Sequence, residues 1–141
     1  MAIVYFDSSA FVKLLVEEEG SALAAALWDG CDAAVSSRLA YPEVRAALAA
    51  AGRTCRLDPR SRRKAEADWE EFWSATRAVE LTANVTEHAG NLAAQHALRG
   101  ADAVHLASAL AVGSPDVVLV VWDERLRAGA FAAGLRIAPA R

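Results

Sequence analysis

Four acidic residues stand where a folded chain would set them for chemistry. Asp7 directly follows the apolar run Ile3-Val4-Tyr5-Phe6, and Asp123 directly follows the longer run Val117 to Trp122. Glu43 falls in the first turns of a predicted helix, and Asp102 opens another that is apolar almost all round. Carboxylates gathered in a half-buried crevice repel one another unless a cation neutralises them. An all-oxygen donor set suits hard Mg²⁺ or Mn²⁺, whereas zinc prefers nitrogen and sulfur. A divalent ion held with open positions lowers the pKa of water and polarises phosphoryl oxygens, which suits phosphodiester hydrolysis. Taken singly, Asp7 and Asp123 are equally good turn formers or helix caps, and Glu43 a first-turn acid complementing a helix dipole. Asp102 resists that reading best, because its helix has no other solvated face. Jointly, the four placements favour catalysis.

The elements that must deliver these acids follow from periodicity and punctuation. Residues 3–6 predict a buried strand, and Ser8 or Ser9 is expected to cap a helix from Ala10 to about Glu18. Gly20 breaks that helix, Ser21 to Trp28 forms the next, and Ala33-Ala34-Val35 a second strand. A helix from about Leu39 to Ala51 follows, with Pro42 either in its first turn or shifting its start. Asp58-Pro59 starts another, predicted to reach about Arg77 with Trp69, Phe72, Trp73 and Thr76 along one face. Val79 to Thr82 is a weak strand candidate, and Thr86 opens a helix ending at Gly100. Ala101 to Val112 is read as a buried helix and Val117 to Trp122 as an interior strand. A helix from Glu124 to Ala133 and a strand from Leu135 to Ala138 complete the chain. Strands alternating with helices predict a three-layer α/β sandwich, a mostly parallel sheet of about four or five strands between helices. In such a sheet, active groups gather beyond the carboxyl ends of the strands, the edge to which all four acids are assigned.

Composition sets bounds on this picture. The 141 residues, 55% hydrophobic and 23% charged, predict one domain, residues 1–141, with its own core, and exclude disorder. No run approaches 18 apolar residues and no basic-then-apolar leader opens the chain, so a cytoplasmic protein with no membrane span is expected. Cys31 and Cys55 have no metal-ligand spacing and are expected as reduced, buried thiols. The formal charge is −3, but setting the four acids aside leaves −3 + 4 = +1, a remainder not hostile to a polyanion.

Four segments in this order carry a resemblance: Asp7-Ser8-Ser9-Ala10, Pro42-Glu43-Val44-Arg45-Ala46-Ala47-Leu48, Asp102-Ala103-Val104-His105-Leu106-Ala107-Ser108-Ala109-Leu110, and Val120-Val121-Trp122-Asp123-Glu124-Arg125-Leu126. Together they resemble the PIN-domain family and, within it, the VapC-type toxins of bacterial toxin–antitoxin pairs. The resemblance spans nearly the whole chain, and the DAVHLASAL segment is its most specific part. It implies a PIN fold and a Mg²⁺- or Mn²⁺-dependent endoribonuclease, usually a homodimer, held inactive by a cognate VapB-type antitoxin. It implies Asp7 and Asp102 as principal metal ligands, with Glu43 and Asp123 completing the acidic site directly or through water. Ser9 matches the hydroxyl two residues after the first acid, where it would hold that carboxylate or a water. Many relatives carry Thr two residues before the fourth acid, where this chain has Val121.

Other residues admit two readings. His105, three residues after Asp102, could act as a general base, but is expected to be a buried histidine bonded to the backbone. Arg53, Arg56, Arg60, Arg62, Arg63 and Lys64 form a basic run around a helix start, where cations oppose the helix dipole. Arg60, Arg62, Arg63 and Lys64 are candidates for gripping an RNA backbone; a solvated helix with ion pairs is the other reading. Trp69, Phe72 and Trp73 are core or helix-pair packing, or in part the surface that the resemblance assigns to an antitoxin.

Two further functions compete with the nuclease. A phosphoacceptor receiver domain would need a lysine at a late strand end, and the only lysines, Lys13 and Lys64, fall on helices. A catalytically silent PIN-like module that only docks a partner would share the fold. Metal binding dependent on Asp7 separates it from the enzyme.

Overall fold

The computed structural model describes residues 1–140. Five strands form one sheet: β1 (Ile3–Phe6), β2 (Ala33–Ser37), β3 (Arg77–Val79), β4 (Val117–Val120) and β5 (Arg136–Ala138). All four pairings are parallel, in the order β3-β2-β1-β4-β5. Seven helices cover it: α1 (Ser8–Leu15), α2 (Ser21–Gly30), α3 (Ala40–Arg53), α4 (Pro59–Ser74), α5 (Ala83–His96), α6 (Gly100–Ala111) and α7 (Glu124–Ala132). This is the expected three-layer α/β sandwich, with a wholly parallel sheet.

β1 lies at the centre and shows why a continuous apolar strand is needed there. Successive side chains point to opposite faces. Tyr5 therefore enters the core beneath α5, α6 and α7, with Leu92, Leu106, Leu119 and Leu126. Val4 and Phe6 enter the other, with Phe11, Val44, Leu48 and Trp69 from α1, α3 and α4. Phe11 packs on Trp69 at 4.8 Å between ring centroids, and Trp28 on Phe72 at 4.9 Å. Trp69 is fully buried while Phe72 and Trp73 are half-buried, so only part of the aromatic face is core.

Several boundaries differ from the sequence reading, each for a local reason. Asp7, rather than Ser8 or Ser9, caps α1: its side chain accepts the Ala10 amide, so the helix starts at Ser8. The helix ends at Leu15, and Gly20 then takes a left-handed conformation (φ 93°). α4 stops at Ser74, earlier than expected, because β3 begins at Arg77 and pairs with Val35 to Ser37. Thr82, not Thr86, caps the fifth helix by accepting the Val85 amide. That helix closes at Ala97 in the left-handed region (φ 53°), three residues before Gly100. Of the two cysteines, both free, Cys31 is half-buried and Cys55 exposed. Cys55 occupies the turn after α3 with φ 60°, which lifts it out of the core. Among the described residues, no helix is long and apolar enough to cross a membrane.

The chain runs outward from β1 to β2 and β3, then returns to place β4 on the other side of β1. The topological switch point thus lies between β1 and β4, where a parallel sheet opens a crevice beyond its carboxyl edge.

Candidate active site

Each acid reaches that crevice on a different element. Asp7 leaves β1 and caps α1, its Oδ1 accepting the Ala10 amide and the Ser9 hydroxyl, both at 2.9 Å. Glu43 lies in the first turn of α3, Asp102 in the first turn of α6, and Asp123 is the N-cap of α7, accepting the Leu126 amide at 3.0 Å. β4 ends at Val120, so Val121 and Trp122 intervene before Asp123; the Val121 amide still bonds to the Ala138 carbonyl at 2.9 Å. Asp7, Ser9, Glu43, Asp102 and Asp123 line one cleft of about 360 Å³. Ser8, Lys13, Arg99, His105 and Trp122 complete its wall.

The acids differ in how they are held. Asp7 is 5% exposed, and burial pushes its carboxyl above the usual range. The charge of Asp102 acts in the same direction, while His105, the Ala10 amide and the Ser9 hydroxyl pull the other way. Burial also works against the Glu43 carboxylate, but hydrogen bonds from His105 and Ser8 overcome it and hold that group below the usual range. Asp102 and Asp123 share a cation: Arg99 places Nε 3.1 Å from Asp102 Oδ2 and Nη2 3.9 Å from Asp123 Oδ2.

His105 is buried but is not bonded to the backbone as expected. Its Nε2 lies 2.7 Å from Glu43 Oε1, and its Nδ1 lies 2.8 Å from the Tyr5 hydroxyl. A carboxylate only accepts, so Nε2 carries a proton towards Glu43, and the Tyr5 hydroxyl, which can donate or accept, is the partner of Nδ1. Ser8 donates to the same Glu43 oxygen at 2.5 Å. One oxygen of Glu43 is thereby fixed on the protein, while Oε2 has no hydrogen-bond partner among the described residues.

These carboxylates offer hard oxygen donors, the chemistry that Mg²⁺ or Mn²⁺ accepts. Among the described residues, no three His, Cys, Asp or Glu side chains form a group that could hold an ion as they stand. The donor set fits a divalent cation in kind, with side-chain adjustment needed to complete a cage.

The basic run does not line this cleft. Arg62 and Arg63 line a separate depression with Gly52, Leu57 and Pro59. Lys64 lines a groove between α1 and α4 that Lys13 shares with the acidic cleft. Arg62 and Lys64 are paired to Glu66 and Asp68 one helical turn on. Arg99, Lys13, Ser8, Tyr5 and Trp122 are the cleft and network residues that the sequence reading missed. Only Arg99 carried a local signal, its i, i+3 spacing to Asp102.

Comparison with known proteins agrees with this geometry. The PIN domain family model matches residues 4–132. The chain is 70% identical over 141 residues to Ribonuclease VapC49 of Mycobacterium tuberculosis, covering 100% of this chain and 98% of that one. Among solved structures, PAE2754 from Pyrobaculum aerophilum superposes with a TM-score of 0.70 at 22% identity, over 97% of this chain and 92% of that one. A toxin–antitoxin complex from Klebsiella pneumoniae superposes with a TM-score of 0.59 at 17% identity, over 87% of each chain. On the sheet order, the four acids at the switch point and these matches, the chain belongs to the PIN-domain family and, within it, to the VapC ribonucleases.

Proposed function

We propose that this chain is the ribonuclease toxin of a toxin–antitoxin pair and that it hydrolyses RNA through the acidic cleft with Mg²⁺ or Mn²⁺. The VapC identity across the full length supports an RNA-cleaving hydrolase. The carrying observation for the site is that four separate elements deliver Asp7, Glu43, Asp102 and Asp123 to one cleft at the switch point. Asp7 and Asp102 would hold the ion, with Glu43 and Asp123 completing the set. When bound, a divalent ion supplies positive charge to the phosphoryl oxygens and acidifies water.

The chain's own residues do the rest. Ser9 and the Ala10 amide fix Asp7 Oδ1, so that carboxylate is oriented before substrate arrives. His105 and Ser8 fix Glu43 Oε1, and their hydrogen bonds keep the group ionised, able to orient or accept a proton from water through Oε2. Water adds to phosphorus as the bond to the 3′ oxygen breaks, leaving a 3′-hydroxyl and a 5′-phosphate. Lys13, held by Glu18 at 3.1 Å and 4.7 Å from the Trp122 ring centre, adds positive charge to the cleft wall. An RNA backbone leaving the cleft past Lys13 would enter the groove bearing Lys64, with Arg60, Arg62 and Arg63 near the same helix start. The cognate antitoxin is the expected protein partner. Its candidate docking surface is the groove beside the half-buried Phe72 and Trp28.

End-group analysis tests the chemistry. Cleaved RNA should carry 5′-phosphate and 3′-hydroxyl termini. Cyclic 2′,3′-phosphate ends would mean attack by the ribose hydroxyl and would remove the hydrolytic reading.

A further inference from the structure

Arg99 is in an unfavourable place for a merely structural arginine. It is the residue before α6, where the helix dipole disfavours a cation, and it makes no side-chain cap. Its side chain is 76% exposed, so it contributes little to the core. Yet its guanidinium lies over the cleft between Asp102 and Asp123, on residues delivered by two different elements. The two carboxylates hold it there, Asp102 Oδ2 at 3.1 Å from Nε and Asp123 Oδ2 at 3.9 Å from Nη2.

We infer that Arg99 is an exchangeable cation of the active site that neutralises Asp102 and Asp123 in the free protein and moves to an RNA phosphate when a divalent ion takes the carboxylates. This rests on the proposed metal site and deepens it. A divalent ion and a guanidinium cannot both sit against Asp102 without repelling one another, so Arg99 competes with the ion for the charge of that carboxylate. A scissile-strand phosphate offers the planar guanidinium a bidentate alternative, the pairing for which arginine is better suited than lysine. RNA therefore draws Arg99 off the carboxylates and tightens ion binding, and by linkage the ion tightens RNA binding.

The inference predicts effects of opposite sign from one substitution. In Arg99→Gln, Mn²⁺ titrated calorimetrically into protein alone should bind about three- to fivefold tighter, the scale of a partly exposed ion pair. Labelled RNA in EDTA, where the proposed reaction does not run, should bind about fivefold weaker, with its salt slope reduced by about 1. Arg99→Lys should fall between wild type and Gln on both readouts. A general structural defect would weaken both, and a bystander would change neither; either result overturns the inference. Asp102→Asn serves as the control. If it leaves Mn²⁺ binding intact, the metal-site reading itself fails; if it abolishes binding while Arg99→Gln matches wild type, the Arg99 inference alone fails.

Discussion

Nε2 of His105 lies 2.7 Å from Oε1 of Glu43, and the other ring nitrogen lies 2.8 Å from the Tyr5 hydroxyl. A residue in the centre of the sheet thus orients an acid in the cleft through one buried imidazole. His105→Ala opens a cavity, orphans a buried hydroxyl and leaves Glu43 held by Ser8 alone. It should cost about 2–4 kcal/mol in urea unfolding and lower kcat severalfold. Tyr5→Phe, which leaves the Glu43 bond in place, should cost only about 1 kcal/mol and affect kcat less. Equal loss of kcat in both variants would show that the His105–Glu43 contact has no separate role.

Asp7 is buried and its carboxyl is pushed above the usual range. The folded chain therefore binds that proton more tightly than the unfolded chain does. Stability from this group is greatest below the unfolded-state value and is lost as pH rises through the folded-state value. Asp7→Asn keeps an oxygen for the Ala10 amide and removes the loss. Its melting temperature at pH 7 should rise, by about 3 °C for each kcal/mol recovered, while Mn²⁺ binding disappears. A lower melting temperature at pH 7, converging with wild type in acid, would mean that the carboxylate stabilises the fold.

Gly20 holds φ at 93°, and a Cβ there would come within 2.8 Å of the Trp122 ring, which lines the cleft. Gly20→Ala should destabilise by about 1–3 kcal/mol, since strain and contact act together. Trp122 fluorescence should shift as the ring is displaced. Unchanged stability with an unchanged spectrum would place the turn elsewhere.

Within the basic run, Arg62 and Lys64 already have acidic partners, whereas no ion pair involves Arg60 or Arg63 among the described residues. Arg60→Ala combined with Arg63→Ala should weaken RNA binding and lower the salt slope by about 1–2, with little change in stability. A slope equal to wild type would leave the run as solvated surface.

The fold was largely legible because its signals are local. A β-branched and aromatic run before Asp7 and six apolar residues before Asp123 announce strands, and Asp58-Pro59 announces a helix start. Parallel topology then carries Asp7, Glu43, Asp102 and Asp123 to one edge without further information. The rest depends on distant partners. His105 meets Tyr5 100 residues away and Glu43 62 residues away, so its bonds could not be read from neighbours. Asp7 capping its own helix displaced the nearby serines, a competition between adjacent side chains that spacing does not decide. β3 spans three residues and is set by its register with β2 rather than by propensity, which is why its start was misplaced.

Cleavage of end-labelled RNA by purified, antitoxin-free protein, in Mn²⁺ and in EDTA, with Asp7→Asn and Asp102→Asn alongside, tests the acidic cleft most directly. The account predicts discrete fragments from wild type in Mn²⁺, none in EDTA, and none from either folded variant. Fragments from wild type in EDTA, or wild-type cleavage by either variant in Mn²⁺, would contradict it.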